Sequence, residues 1–581
     1  MVIVLVREAK NSRRAVRAAL QRSRMAFRGV ALFTAMVNVL ALTGSLYMLQ
    51  IYDRVIPSRS LPTLVGLTII MIGLFCAHGL LDLVRGRVLA RIGARFDEEL
   101  RQKTLDIVLA MPFAGRSGSD ASQAVRDLDS IRNFLWSPGP TAFFDIPWVP
   151  LYLGLIFALH PMLGSLAAGG AIFLVILTLL TEFRTAAPLK AAAASGAERA
   201  QFFEMCRRNA ELVRAHGMAH HLGTVWHSIA GKHLDDQLKS SDAASGLGTI
   251  SKIVRMLLQS AILGLGAYLV IEEQASAGVI IAASIMTSRA LAPIEIVIGN
   301  WKNFVGARQA RTRLEDLCDA LPDCEAAVDL PPPNRKLSVQ DLSVASPGDQ
   351  KLLIHNINFE ASAGDVVGII GPSASGKSTL VRALVGAWRP ATGRGFVRLD
   401  GAPLDQWNPL KLGRHIGYLP QEIELFYGTI AQNICRFDPE AESERIIAAA
   451  QNAGVHDMIL NLPDGYGTRV GDRGNTLSAG QRQRIALARA VYGEPFLIVL
   501  DEPNSNLDAE GDNALSETIK TFKSKGRIVI VVAHRPSALL HVDKVLALAN
   551  GQVAAFGSKE EVLRKVIRNV AQRSEPMAAA E

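Results

Sequence analysis

Val366-Val-Gly-Ile-Ile370-Gly371-Pro372-Ser373-Ala374-Ser375-Gly376-Lys377-Ser378-Thr379 joins three patterns end to end. The short apolar run through Ile370 reads as a buried strand. The glycine-bounded stretch after it reads as a loop, and a helix begins near Ser378. G-x-x-x-x-G-K-[ST] between a strand and a helix is the pattern of a loop whose backbone N–H groups wrap phosphate oxygens. In that arrangement Lys377 reaches the β- and γ-phosphates of a nucleotide, and Ser378 offers its hydroxyl to Mg²⁺. Thr379 closes the motif. A strand, a phosphate loop and a helix in this order point to an α/β domain with a parallel sheet.

Further along lies Phe496-Leu-Ile-Val-Leu500-Asp501-Glu502. A wholly apolar strand ends in two carboxylates, which places them at the carboxyl edge of the sheet, where ligands of open α/β folds bind. Asp501 is suited to hold Mg²⁺ through water and Glu502 to polarise an attacking water. A core strand that merely ends in acids reads the same way. Leu477-Ser478-Ala479-Gly480-Gln481, followed by Arg482-Gln483-Arg484, opens a helix whose N-terminus suits an anion, and an ordinary helix start would look alike. His534 follows the apolar run Ile528 to Ala533.

Before about residue 300 the chain changes character. Of 581 residues, 49% are hydrophobic and the mean hydropathy is +0.21, with the apolar excess concentrated in this half. A membrane helix needs about 20 mostly apolar residues. Gly29 to Tyr52 qualifies, as does Leu61 to Leu81. Ile146 to Thr181 is too long for one span and holds His160-Pro161 near its middle, so two helices joined by a tight turn are expected. Met256 to Ile271 and Ala275 toward Trp301 complete six spans. The net charge of +8 comes largely from arginine flanking these runs. Membrane flanks account for it, and no nucleic-acid partner is expected. The basic residues place the N-terminus, the C-terminus and the loops 83–142 and 182–252 in the cytoplasm. Within those loops, 122–135 and 209–217 are candidates for contact with the α/β domain. Arg289 and Glu295 fall inside the sixth span, where such groups either snorkel to the interface or line a path. The five cysteines form neither a CxxC pair nor a Cys/His cluster, which argues against zinc and a disulfide framework.

The phosphate loop, the Ser478 segment, the strand ending Asp501-Glu502 and His534 resemble, in order and spacing, the ATPase domains of ABC transporters over about 336–562. The resemblance implies ATP and Mg²⁺ as cofactors. It implies nucleotide contacts from Gly371, Pro372, Ser373, Ala374, Ser375, Gly376, Lys377, Ser378 and Thr379. Ser478, Gly480 and Gln481 would contact the ATP held by a second subunit, and Asp508 would cross the interface between the two. Gln421, in Leu419-Pro420-Gln421, resembles the glutamine that senses Mg²⁺ and the attacking water. His534 resembles the switch histidine on the γ-phosphate. The catalytic set is then Glu502, His534 and Gln421, and the metal set Ser378, Gln421 and Asp501. Asp472 lies in a segment similar to the exporter-specific loop. Ala479 replaces a usual glycine, and 344–350 lacks the aromatic that often stacks on adenine.

Ser45 to Arg59, and Asp501 to Gly511, resemble the permease/ATPases of type I secretion systems, specifically the compact, PrtD-like exporters of proteases and RTX proteins. The start of the first span near residue 29 leaves no expected N-terminal peptidase domain. The expected fold is an all-α six-helix transmembrane domain of the type I ABC exporter kind, fused to an α/β P-loop ATPase domain. The layout is a basic arm at 1–28, a transmembrane domain at 29–305, a linker at 306–335, the ATPase domain at 336–562 and a polar tail at 563–581. The implied setting is a bacterial inner membrane. The implied partners are a second copy, a periplasmic membrane-fusion adaptor, a TolC-like outer-membrane channel and a secreted protein with a C-terminal signal. A lipid flippase or drug exporter would share every ATPase motif. An ABC ATPase without transport is the more distant alternative.

Overall fold

The computed structural model describes residues 21–115, 118–320, 329–348, 351–391, 393–471, 474–533 and 539–565. Two compact units emerge: Met1–Pro112 with Ser117–Asp323, and Phe113–Arg116 with Cys324–Glu581.

Among the described residues, six helices are long and apolar enough to cross a membrane: Arg24–Ser58, Leu61–Phe113, Gly139–Leu159, Pro161–Arg208, Ala219–Ile271 and Ala277–Gly299. They cover all six expected spans. His160 is extended (φ −161°, ψ 130°), and its ring accepts the Met162 N–H at 3.2 Å. The third span ends there and Pro161 opens the fourth, because a proline at the first helical position loses no hydrogen bond. The first span passes through a π-helical turn at Ile51–Val55. Asp53 in that turn accepts hydrogen bonds from Ser276 Oγ at 2.6 Å and the Gly278 N–H at 2.9 Å. A Cβ at Gly278 would lie 2.5 Å from the Asp53 carboxylate, so only glycine lets the first span clasp the start of the sixth.

Helices of 50, 48 and 53 residues (Leu61–Ala110, Pro161–Arg208 and Ala219–Ile271) run about 72–80 Å. The hydrocarbon takes about 30 Å of that, so each continues well beyond it. The third to sixth spans share one core around Ile156, Leu174, Ile262, Met286 and Leu291. A second core joins Phe96, Leu100 and Met111 to Ala124, Leu128 and Leu135, and to Ala310 and Leu314. The two candidate contact segments therefore differ. Residues 122–135 lie in the helix Gly118–Trp136, which supplies that second core. The short helix Ala210–Ala215 has no buried residue. The stretch expected to be linker from 306 begins instead as part of the helix Trp301–Ala320, because Ala310, Leu314 and Leu317 find an apolar seat in the first unit. Pro331 to Pro333 carries no helix or strand, as expected.

The second unit holds two sheets. The antiparallel one has the order β2-β1-β4-β5, from β1 (Lys336–Ala345), β2 (Leu352–Ser362), β4 (Phe396–Leu399) and β5 (Ala402–Pro403). The other has the order β10-β9-β3-β8-β7-β6 and contains β3 (Val366–Ile370), β6 (Ile416–Leu419), β7 (Leu497–Asp501), β8 (Ile528–Val532), β9 (Lys544–Ala549) and β10 (Gln552–Ser558). All its neighbours pair in parallel except β9 and β10. Ile498, Leu500, Val529 and Val531 enter one core. Leu497, Val499, Ile528 and Ile530 enter the other. Successive strand residues face opposite sides, and both faces are covered. That explains why these strands read as unbroken apolar runs.

Candidate functional site

The parallel strands deliver the candidate residues to one edge. The phosphate loop follows β3, Asp501 ends β7 and Glu502 comes next, and β8 between them ends just before Ala533. Leu419 pairs with Leu500, so Gln421 leaves β6 beside the two acids. The Gln421 side chain is exposed. His534 and Asp472 lie outside the described residues.

The loop's backbone is set for close approach. Gly376 has φ +98°, and a Cβ there would sit 2.4 Å from Ile354 Cγ2. It caps the helix Lys377–Leu384, whose first N–H groups point into the loop. Ala374 also has positive φ, at 63°. Lys377 is 6% exposed and donates to the carbonyls of Gly371 and Pro372, each at 2.9 Å. Its ammonium is thus held inside the loop by weak acceptors that a phosphate can replace. Burial lowers its pKa, opposed by Glu502 and Asp501.

Asp501 is 2% exposed, and its Oδ1 has no hydrogen-bond partner. Burial raises its pKa, with a hydrogen bond from Ser378 acting the other way. A buried carboxylate oxygen left unpaired costs free energy, and a hard cation with oxygen ligands offsets that cost. Ser378 and Asp501 therefore fit Mg²⁺. Glu502 has φ +52°, a left-handed conformation that costs a non-glycine residue about 1–3 kcal/mol and concentrates at functional sites.

The helices that Ser478 and Lys377 open pack into different cores. The helix Ala479–Val491 buries Ile485, Ala486 and Leu487 in one, and the helix Lys377–Leu384 buries Leu380, Val381 and Leu384 in the other. Ser478 forms a capping box with Gln481: its hydroxyl accepts the Gln481 N–H at 3.2 Å, and its own N–H donates to Gln481 Oε1 at 2.9 Å. The Gln481 side chain is thus engaged in shaping the helix start. Asp508 caps the helix Ala509–Ser524 through the Gly511 N–H at 2.8 Å and receives Arg484 at 2.5 Å. Those contacts, the Gly511 N–H first, hold its carboxyl below the usual range. Gln483 and Arg484 carry no role in the sequence reading, yet both are buried. Gln483 donates to the Pro503 carbonyl and accepts the Asn506 N–H at 3.0 Å. They tie the Ser478 helix to the segment after Glu502. Polar residues on the buried face of that helix were the available signal.

Two family models match the chain: ABC transporter transmembrane region over 29–291 and ABC transporter over 354–505. The type I secretion system ATP-binding protein PrsD of Rhizobium meliloti (strain 1021) is 52% identical over 95% of this chain and 94% of its own length. The leukotoxin translocation ATP-binding protein LktB of Bibersteinia trehalosi is 30% identical over 91% and 75%. A bacterial Atm1-family ABC exporter with ATP bound superposes with a TM-score of 0.80 at 22% identity, over 96% of this chain and 99% of that one. At that identity the likeness speaks to the fold.

Proposed function

This chain belongs to the ABC transporters, with an ATPase domain fused to a six-helix transmembrane domain, and we propose that it is the permease/ATPase of a type I secretion system. It couples ATP hydrolysis to transport. The cargo is an unfolded polypeptide with a C-terminal signal, and the setting is a bacterial inner membrane with the ATPase domain in the cytoplasm. Two copies form the machine. A periplasmic adaptor and an outer-membrane channel continue the path. The observation that carries this reading is the 52% identity to a type I secretion protein along almost the whole of both chains.

The site residues have separable tasks. Lys377 exchanges the Gly371 and Pro372 carbonyls for phosphate oxygens, and the N–H groups of the following helix add donors. Ser378 and Asp501 would hold Mg²⁺, which would supply positive charge to offset that of the phosphates. Glu502 accepts the proton of the attacking water, with Gln421 and His534 orienting the water and the γ-phosphate. Ser478 and Gly480 complete the site of the other copy, so hydrolysis waits on the two ATPase domains meeting.

The test is secretion from cells lacking the gene. Proteins carrying a C-terminal export signal should vanish from the medium and return with the wild-type gene but not with Glu502→Gln. Unchanged secretion together with lost lipid transport would establish the flippase reading instead.

A further inference from the structure

Inside the first unit, a cavity of about 490 Å³ opens between the fourth, fifth and sixth spans. Ser251, Lys252, Arg255, Glu295, Trp301 and Lys302 are among its lining residues. That volume lies in the range of small-ligand sites. Thr181 on its wall lies about 30 Å along the helix from Pro161, Ser251 about 30 Å from Ile271, and Glu295 about 27 Å from Ala277. Three helices thus independently place the membrane-side end of the cavity one hydrocarbon thickness from the short-loop side, and Leu189 and Ser240 carry its lining about 12–17 Å further along two of them. The first of these levels is the membrane boundary on the ATPase side in the orientation proposed above.

The lining is rich in donors. Lys252, Arg255 and Lys302 face the single acid Glu295, which is taken up by Arg255 at 2.6 Å. Three further serines, Ser240, Ser241 and Ser245, share the wall. Ser251 is 2% exposed and its hydroxyl has no partner, and the Trp301 indole N–H has none either. The contrast with the same bundle is informative. Thr178, Thr181, Thr185 and Thr287 each return the hydroxyl to the carbonyl four residues earlier, at 2.7–2.8 Å. Thr34 and Ser45 also lack partners, but neither lines this cavity. Exposed Leu180, Phe183, Met256 and Leu257 flank the lining positions on the same two helices. They give apolar chains a surface to lie on.

We propose that this cavity binds the phosphate headgroup of an anionic phospholipid. Lys252 and Lys302 supply the charge, and Ser251 and the Trp301 N–H supply the buried hydrogen bonds. Basic pockets between membrane helices on the cytoplasmic side suit anionic headgroups, and indoles settle at that depth.

The experiment uses delipidated full-length protein in neutral detergent, with bound lipid counted by native mass spectrometry. The added probes are dioleoylphosphatidylglycerol, dioleoylphosphatidylcholine, sodium phosphate and an acidic peptide. Phosphatidylglycerol should be retained where phosphatidylcholine is not, and sodium phosphate should not displace it. Lys252→Gln with Lys302→Gln should weaken retention about 25-fold, from roughly fivefold per basic residue. Ser251→Ala should weaken it less, and Lys252→Arg with Lys302→Arg should keep it. Equal retention of the two lipids by the wild type, a comparison that needs no variant, overturns the proposal. So does undiminished phosphatidylglycerol binding by the double glutamine variant. Sodium phosphate binding as tightly as the lipid reassigns the site to a free anion. Displacement of the lipid by an acidic peptide that needs the same lysines reassigns it to cargo.

Discussion

Glu502 follows a fully buried strand, takes a left-handed backbone and stands beside Lys377. Replacing it with glutamine keeps the size and removes the base. Steady-state ATP hydrolysis by purified protein should fall at least about a hundredfold, while ATP binding persists because Lys377 and Ser378 are untouched. Turnover near the wild-type rate would remove Glu502 from the mechanism. Asp501 makes a prediction of opposite sign for stability. Burial raises its folded pKa above the ordinary 3.8. Its contribution to stability is therefore complete below the unfolded value and is lost as pH rises through the folded one. At neutral pH without nucleotide, Asp501→Asn should stabilise the protein by about 1–3 kcal/mol, the cost of an unsatisfied buried polar group. Thermal melting should show that gain shrinking as pH falls toward the carboxylate range, and the variant should no longer hydrolyse ATP. A gain that is constant with pH would remove ionisation as its cause. Motif spacing made the identity of these residues legible. Their strain and burial were not legible, because φ and desolvation depend on what packs around the strand ends.

Among helices, the pair Asp127 and Arg313 joins Gly118–Trp136 to Trp301–Ala320. Arg313 donates from Nε at 2.8 Å and from Nη2 at 2.7 Å to the two carboxylate oxygens. The burial is one-sided: the Asp127 side chain is 1% exposed and that of Arg313 is 43% exposed. Arg313→Ala strands a buried carboxylate with Gln123, among the described residues, as its remaining donor and should cost about 3 kcal/mol. Asp127→Asn frees a guanidinium that can turn to water and should cost nearer 1 kcal/mol. Differential scanning calorimetry of both variants checks the order, and equal losses would show that the one-sided burial does not set the cost. The sequence marks 83–142 as a cytoplasmic loop and 306–335 as a linker; the helix Gly118–Trp136 lies within the first, and the helix Trp301–Ala320 runs into the second. Their partnership spans 186 residues of sequence and so left no local trace.

At the scale of the whole molecule, each site is proposed to draw its phosphate loop from one copy and its Ser478 segment from the other. Lys377→Ala and Ser478→Arg chains should each be inactive alone. Co-expressed and co-purified, half of the two-fold dimers carry one intact site of two, and ATPase activity should return to about a quarter of the wild-type rate. Mixtures that stay inactive would place both elements of a site within one chain.

The sequence by itself determined the two-part plan, the six spans, the break at His160-Pro161 and the strand–loop–helix order around Gly371 to Lys377. Hydrophobic length, proline chemistry and phosphate-loop glycines act within a few residues of each other, so they are written locally. Only the tertiary structure decided that Gln483 and Arg484 anchor the segment after Glu502, that Asp53 clasps Gly278, and that residues past 306 fold as helix onto the first unit. It also brought Lys252, Glu295 and Lys302 around one cavity. Each of these rests on side chains that meet across long separations, where burial and hydrogen-bond satisfaction are set by packing and not by neighbours in the chain.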